Sequence, residues 1–104
     1  MSLMQSQIGP VIVKVFSGLE PEGEEYRGCR ITFLGSNPVT ARAWKMLEGR
    51  WVDVDTLVNA TVIEQGKFLT ITGTSKALVN EVGLTPSNAQ VRWEVENLGC
   101  TNCN

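Results

Sequence analysis

The sequence contains no histidine. That absence removes Ser-His-Asp and Cys-His nucleophilic sites, imidazole proton shuttles and every His-liganded zinc or iron centre, leaving only carboxylates, lysine, tyrosine or cysteine for any catalysis. Long hydrophobic runs are also missing. The longest, Pro10–Val13, is far short of the roughly 18 residues that a spanning helix needs. The segment Met1 to Ile8 lacks a charged stretch followed by an apolar one, so no secretory signal is read there and a cytoplasmic location is expected. An even set of cysteines is lacking too: three is an odd number, which argues against a complete disulfide framework and fits a reducing compartment. No excess of positive charge exists, since 9 basic residues face 11 acidic ones for a net charge of −2. The chain as a whole therefore has no electrostatic attraction to anionic lipid or phosphate backbones, and both membrane and nucleic acid are disfavoured as partners.

What is present fits one globular domain: 104 residues, 42% of them apolar and 19% charged, enough to bury roughly 60 to 70% of the unfolded surface around one core. The expected organisation is a polar N-terminal tail over residues 1–8, one domain over 9–98 and a C-terminal Cys-x-x-Cys tail over 99–104. Within the domain, the β-branched run Val11 to Phe16 reads as a strand. The stretch Glu20 to Glu25, with Pro21, Gly23 and four glutamates, reads as a solvated connection. Alternation along Arg27–Leu34 predicts a second strand with Cys29, Ile31 and Phe33 facing the core.

Asn37, Pro38 and Gly49 carry start and stop signals of a helix, and Ala43, Met46 and Leu47 recur between them at helical spacing. From Trp51 to Ile63 a period-two pattern returns, placing Asp53 and Asp55 on one strand face, followed by a turn at Gln65-Gly66 into a strand over Phe68–Thr72. Thr74 and Ser75 offer caps to a second helix, Lys76–Val82, and Ala89 to Glu96 alternates as a final strand. The resulting order ββαββαβ predicts an α+β domain: a mostly antiparallel sheet with two short helices on one face. A short internal similarity, Ile31–Ser36 against Leu69–Thr74, is compatible with a duplicated unit.

The candidate chemistry is sparse. Cys100 and Cys103 form a C-x-x-C pair that, with Cys29, supplies three thiolates toward a zinc site, or that closes a reversible disulfide. Against this, an inert reduced tail and a buried Cys29 account for the same residues. Asp53 and Asp55 at i, i+2 have the spacing of an acid/base or cation-binding pair, and equally that of an ordinary solvated strand face. Arg42, Lys45 and Arg50 follow the acidic stretch with Arg27 and Arg30 as a candidate basic face, and Trp51 beside Arg50 is the expected exposed anchor for a partner. With no catalytic set, the favoured reading is a small non-catalytic interaction module. It binds a protein partner or a second copy through sheet edges or through Trp51, Arg50, Arg42 and Lys45, and holds no cofactor. The alternatives are a zinc or thiol-redox accessory protein using Cys100 and Cys103, and last a carboxylate-based enzyme.

Overall fold

The computed structural model describes residues 8–18, 22–77 and 89–96. Six strands follow one another: β1 (Ile8–Ser17), β2 (Glu24–Leu34), β3 (Val39–Leu47), β4 (Arg50–Gln65), β5 (Phe68–Ser75) and β6 (Gln90–Glu96). Each pairs antiparallel with the next, and β6 pairs back onto β1 from Ile12↔Glu96 to Ser17↔Val91, so the sheet closes into a barrel.

The α+β expectation is therefore overturned: the fold is all-β. The segment expected to be the first helix is β3, hydrogen-bonded to β2 on one side and β4 on the other. Its residues satisfy two periods at once. Ala43, Met46 and Leu47 are spaced for a helix, whereas Val39, Ala41 and Ala43 alternate and are the three that are buried. Two flanking strands decide between them, because an interior barrel position rewards small alternating side chains irrespective of their helix propensity. Asn37 does not cap a helix. Its side-chain carbonyl accepts from the Val62 amide at 3.2 Å and its amide donates to the Val62 carbonyl at 3.4 Å, fastening the β2–β3 turn to β4. Of the second expected helix, only Lys76 and Ala77, which take helical backbone, are described; the remainder lies outside the described residues. The internal similarity also dissolves, since Gly35 sits in a turn at φ 99° while Gly73 lies inside β5.

The core is the barrel interior, filled by alternate residues of every strand: Val11 and Val13, Cys29, Ile31 and Phe33, Ala41 and Ala43, Leu57, Ala60 and Val62, Leu69 and Ile71, and Val91, Trp93 and Val95. Bulges let the strands bend around this core. Gly28, at φ 71°, is the extra residue between the Val11↔Cys29 and Ile12↔Arg27 pairs, which keeps both Tyr26 and Cys29 on the inner side. In β4, Val54 is the extra residue between Ala43↔Asp55 and Trp44↔Asp53, and a second irregularity at Asn59–Ala60, with Asn59 at φ 51°, lies opposite Gly73. No helix among the described residues is long and apolar enough to cross a membrane.

Candidate functional site

Two places gather chemistry: one on the outer face of β2, β3 and β4, the other inside one end of the barrel. On the outer face the register sets Arg30 opposite Trp44, Thr32 opposite Arg42 and Met46 opposite Trp51. The Arg30 guanidinium reaches over β3 and stacks on the Trp51 ring, 4.1 Å from its centroid. The Trp44 indole N–H donates to the Thr32 hydroxyl at 3.0 Å. Arg30, Thr32, Trp44 and Trp51 together line a shallow depression of about 210 Å³. The buried Nε atoms of both Arg30 and Arg42 find no acceptor among the described residues. The contrast on another part of the barrel is informative: Arg92 lies 4.4 Å over the Phe16 ring, but its charge is met by Glu94 at 3.2 Å. Arg30 and Arg42 form no such ion pair among the described residues.

The four residues expected to form one binding face are thereby divided. Trp51 and Arg42 lie on the outer face, with Arg30 added to them; Arg50 is exposed at the start of β4. Lys45 points the other way, paired with Cys29 in register and with its ammonium 5.2 Å from the centroid of the Tyr26 ring.

The barrel end holds a cavity of about 400 Å³, walled by Val13, Val15, Val54 and Val91 and carrying Tyr26, Asp55 and Ser75 among its polar groups. Asp53 and Asp55 do not share a face, contrary to the period-two count. The Val54 bulge turns Asp53 outward, where the Thr56 hydroxyl donates to it at 3.2 Å, and turns Asp55 inward. This separation removes the paired-carboxylate geometry on which an Asp53/Asp55 enzyme rests. The Asp55 Oδ1 accepts from the Ser75 hydroxyl at 2.9 Å and from the Thr56 amide at 2.7 Å. Burial nevertheless dominates and pushes the Asp55 carboxyl above its ordinary value, the Ser75 and Thr56 bonds opposing and nearby Asp53 adding to the rise. Beneath it, the indole N–H of fully buried Trp93 approaches closely enough to favour the charged carboxylate, without closing a hydrogen bond.

At the rim, the Tyr26 hydroxyl donates to Glu24 at 2.8 Å. Burial first, then that bond and the negative charge of Glu24, push the Tyr26 phenol up to about 12. Tyr26 is the chain's one tyrosine, so phenolate absorbance reports it alone. A spectrophotometric titration is expected to place its midpoint at about 12 rather than 10, and Glu24→Gln to return it part of the way. The contribution of this group to stability is fully present below pH 10 and is lost as the pH rises through about 12.

Cys29 is fully buried and free, and burial pushes its thiol up, with Lys45 opposing. A thiol held protonated is a poor nucleophile and metal ligand. Cys100 and Cys103 lie outside the described residues. Among the described residues no group of three or more cysteines and carboxylates is placed to hold a metal. Arg30, named in the sequence with the basic stretch, gains its stacking partner Trp51 from β4. Glu24, Tyr26 and Ser75 went unmarked as site residues: Ser75 because it meets Asp55 only across the β4–β5 pairing, and Glu24 and Tyr26 because the Gly28 bulge, which the sequence pattern does not show, sets which side of β2 they take. Comparison with protein-family models, curated proteins and solved structures finds no match.

Proposed function

We propose that the chain is a small non-catalytic binding module that engages an acidic segment of a protein partner through the outer face of β2, β3 and β4. The observation that carries this reading is the Arg30–Trp51 stack beside Arg42, with the Nε of both arginines unmatched among the described residues. Tryptophan, arginine and methionine are the residue types enriched at protein interfaces. Here Trp44, Trp51, Arg30 and Arg42 meet them, with Met46 exposed at the edge of the patch. A carboxylate matches an arginine fork bidentately, and the apolar rings beside it favour a segment that alternates acidic and aliphatic residues. Nucleic acid fits less well, since the whole chain carries a net charge of −2 and Asp53 lies in register with Trp44. Self-association through sheet edges is the less favoured alternative, because the described strands close into a barrel.

The test is a titration of labelled protein with a peptide alternating glutamate and leucine, and separately with oligothymidylate of equal charge, read by amide and side-chain NMR shifts. The peptide is expected to move the Arg30 and Arg42 Nε–H and the Trp51 indole signals, and Arg30→Ala to weaken it by roughly tenfold, on the order of one charge-assisted contact. Binding of the oligonucleotide in preference to the peptide overturns the reading. So does a dimer in sedimentation that Trp51→Ala dissociates, which would make a second copy the occupant.

A further inference from the structure

We propose that the open end of the barrel is a binding site for a small organic cation, an amine with a compact apolar body, whose ammonium group pairs with Asp55. The site is separate from the outer face of β2, β3 and β4, and stands on independent observations.

The first is the charge arrangement. Asp55 lines the cavity and makes no ion pair among the described residues. Among the described residues its carboxyl is met by neutral donors: the Ser75 hydroxyl, the Thr56 amide and, from a greater distance, the Trp93 indole. A half-buried carboxylate met by dipoles alone lacks the counter-charge that makes its partial withdrawal from water tolerable. Around it, the groups that titrate or carry charge are Glu24, Tyr26 and Cys29 from β2, Lys45 from β3 and Asp53 from its own strand. The one cation of this set, Lys45, sits over the Tyr26 ring and acts on Cys29, not on Asp55. Glu24 is engaged by the Tyr26 hydroxyl. Among the described residues the end of the barrel is thus net negative, with Asp55 uncompensated.

The second is an orphan donor. Trp93 is completely buried, and its Nε1 closes no hydrogen bond among the described residues, Asp55 lying nearby but not within bonding geometry. It is directed at Asp55, and an ammonium that holds Asp55 ionised also strengthens the acceptor facing that N–H. The third is shape. A cavity of about 400 Å³ with valine walls from β1, β4 and β6 takes a ligand with an apolar body and one polar head.

Benzylamine and benzyl alcohol differ in charge at nearly constant shape, so they are the probes. Titrating each into labelled wild-type protein at neutral pH, the amine is expected to move the Trp93 indole and Ser75 amide signals saturably, and the alcohol to bind weaker by roughly tenfold or more. Because the ammonium needs the carboxylate, amine affinity falls as the pH is lowered through the raised titration of Asp55, while alcohol affinity does not. Asp55→Asn is expected to abolish the difference between the two probes. Should that variant fail to fold, the pH series on the wild type decides by itself. Equal affinity for amine and alcohol, pH-independent amine binding, or no shift of the Trp93 indole at tens of millimolar amine overturns the proposal.

Discussion

Trp93→Ala is expected to lower the stability of the folded chain by about 3 to 5 kcal/mol, the range for emptying a large aromatic site in a packed core. Trp93 is the largest of the fully buried side chains, with 0% exposure. It stands in register with Val15 of β1 and Ile71 of β5, and its indole reaches past β5 to Asp55 on β4. Its side chain thus rises from a strand paired between β1 and β5 and reaches β4, so its loss empties the largest fully buried site of the barrel. Against a total of about 5 to 15 kcal/mol for a domain of this size, such a loss leaves the variant marginal. Trp93→Phe separates volume from hydrogen bonding. It keeps most of the apolar surface but removes the N–H that favours the charged carboxylate, so it is expected to cost about 1 kcal/mol and to push the Asp55 titration further up. Urea unfolding of the two variants, with an NMR titration of Asp55 in the phenylalanine form, checks both parts. Equal losses for alanine and phenylalanine would mean that the indole N–H, not the packing, is what the barrel depends on.

The strands with a clear two-residue period were legible. Val11 to Phe16, Arg27 to Leu34, Trp51 to Ile63, Phe68 to Thr72 and Ala89 to Glu96 all fall within or overlap strands of the barrel. The failure at β3 is instructive because its local signals were internally consistent: a capping asparagine, a proline after it, a terminating glycine, and alanine, methionine and leucine at helical spacing. What overrode them is not local. β3 has hydrogen-bonding partners on both sides, and its alternate residues Val39, Ala41 and Ala43 are the ones buried in the barrel interior. Barrel closure was invisible for the same reason, since pairing β1 with β6 joins residues some eighty positions apart and leaves no short-range trace.

The candidate sites show a second kind of limit. Trp51 and Arg42 were singled out from residue type, but the stacking partner Arg30 emerges only when β2 and β4 are laid on either side of β3. Asp55 was also singled out, with the wrong companion. Counting by twos from Asp53 assumes an unbroken pleat, and one extra residue reverses every face beyond it. Val54 is that residue, so Asp55 belongs with Ser75 and Trp93 inside the barrel while Asp53 belongs with Thr56 outside.

The same dependence on a bulge makes Gly73 the second most sensitive position. A Cβ at Gly73 would lie 3.0 Å from the Ala60 Cα, 3.0 Å from the Val58 carbonyl oxygen and 3.2 Å from the Ala60 Cβ. Two of those three atoms are backbone of β4 at the point where its extra residue crosses over β5, so no rotamer change makes room. Gly73→Ala is expected to cost about 1 to 3 kcal/mol and Gly73→Val about 3 kcal/mol or more, the cost of overpacking where the obstacle cannot yield. Removing the one side-chain obstacle separates this from ordinary crowding: in the double variant Ala60→Gly/Gly73→Ala the Cα and carbonyl contacts remain, so little stability should return. Recovery to wild-type stability in that double variant would show that the two strands are held apart by side chains alone, and that the irregularity at Asn59–Ala60 is not what requires glycine opposite it. The strand pairing at Thr61↔Thr72 and Val58↔Thr74, on either side of the crossing, is where amide exchange in Gly73→Val should rise first. Ser75 lies one residue beyond that pairing, so loosening there also withdraws the hydroxyl that Asp55 accepts from, and amine binding in Gly73→Val is expected to weaken with it.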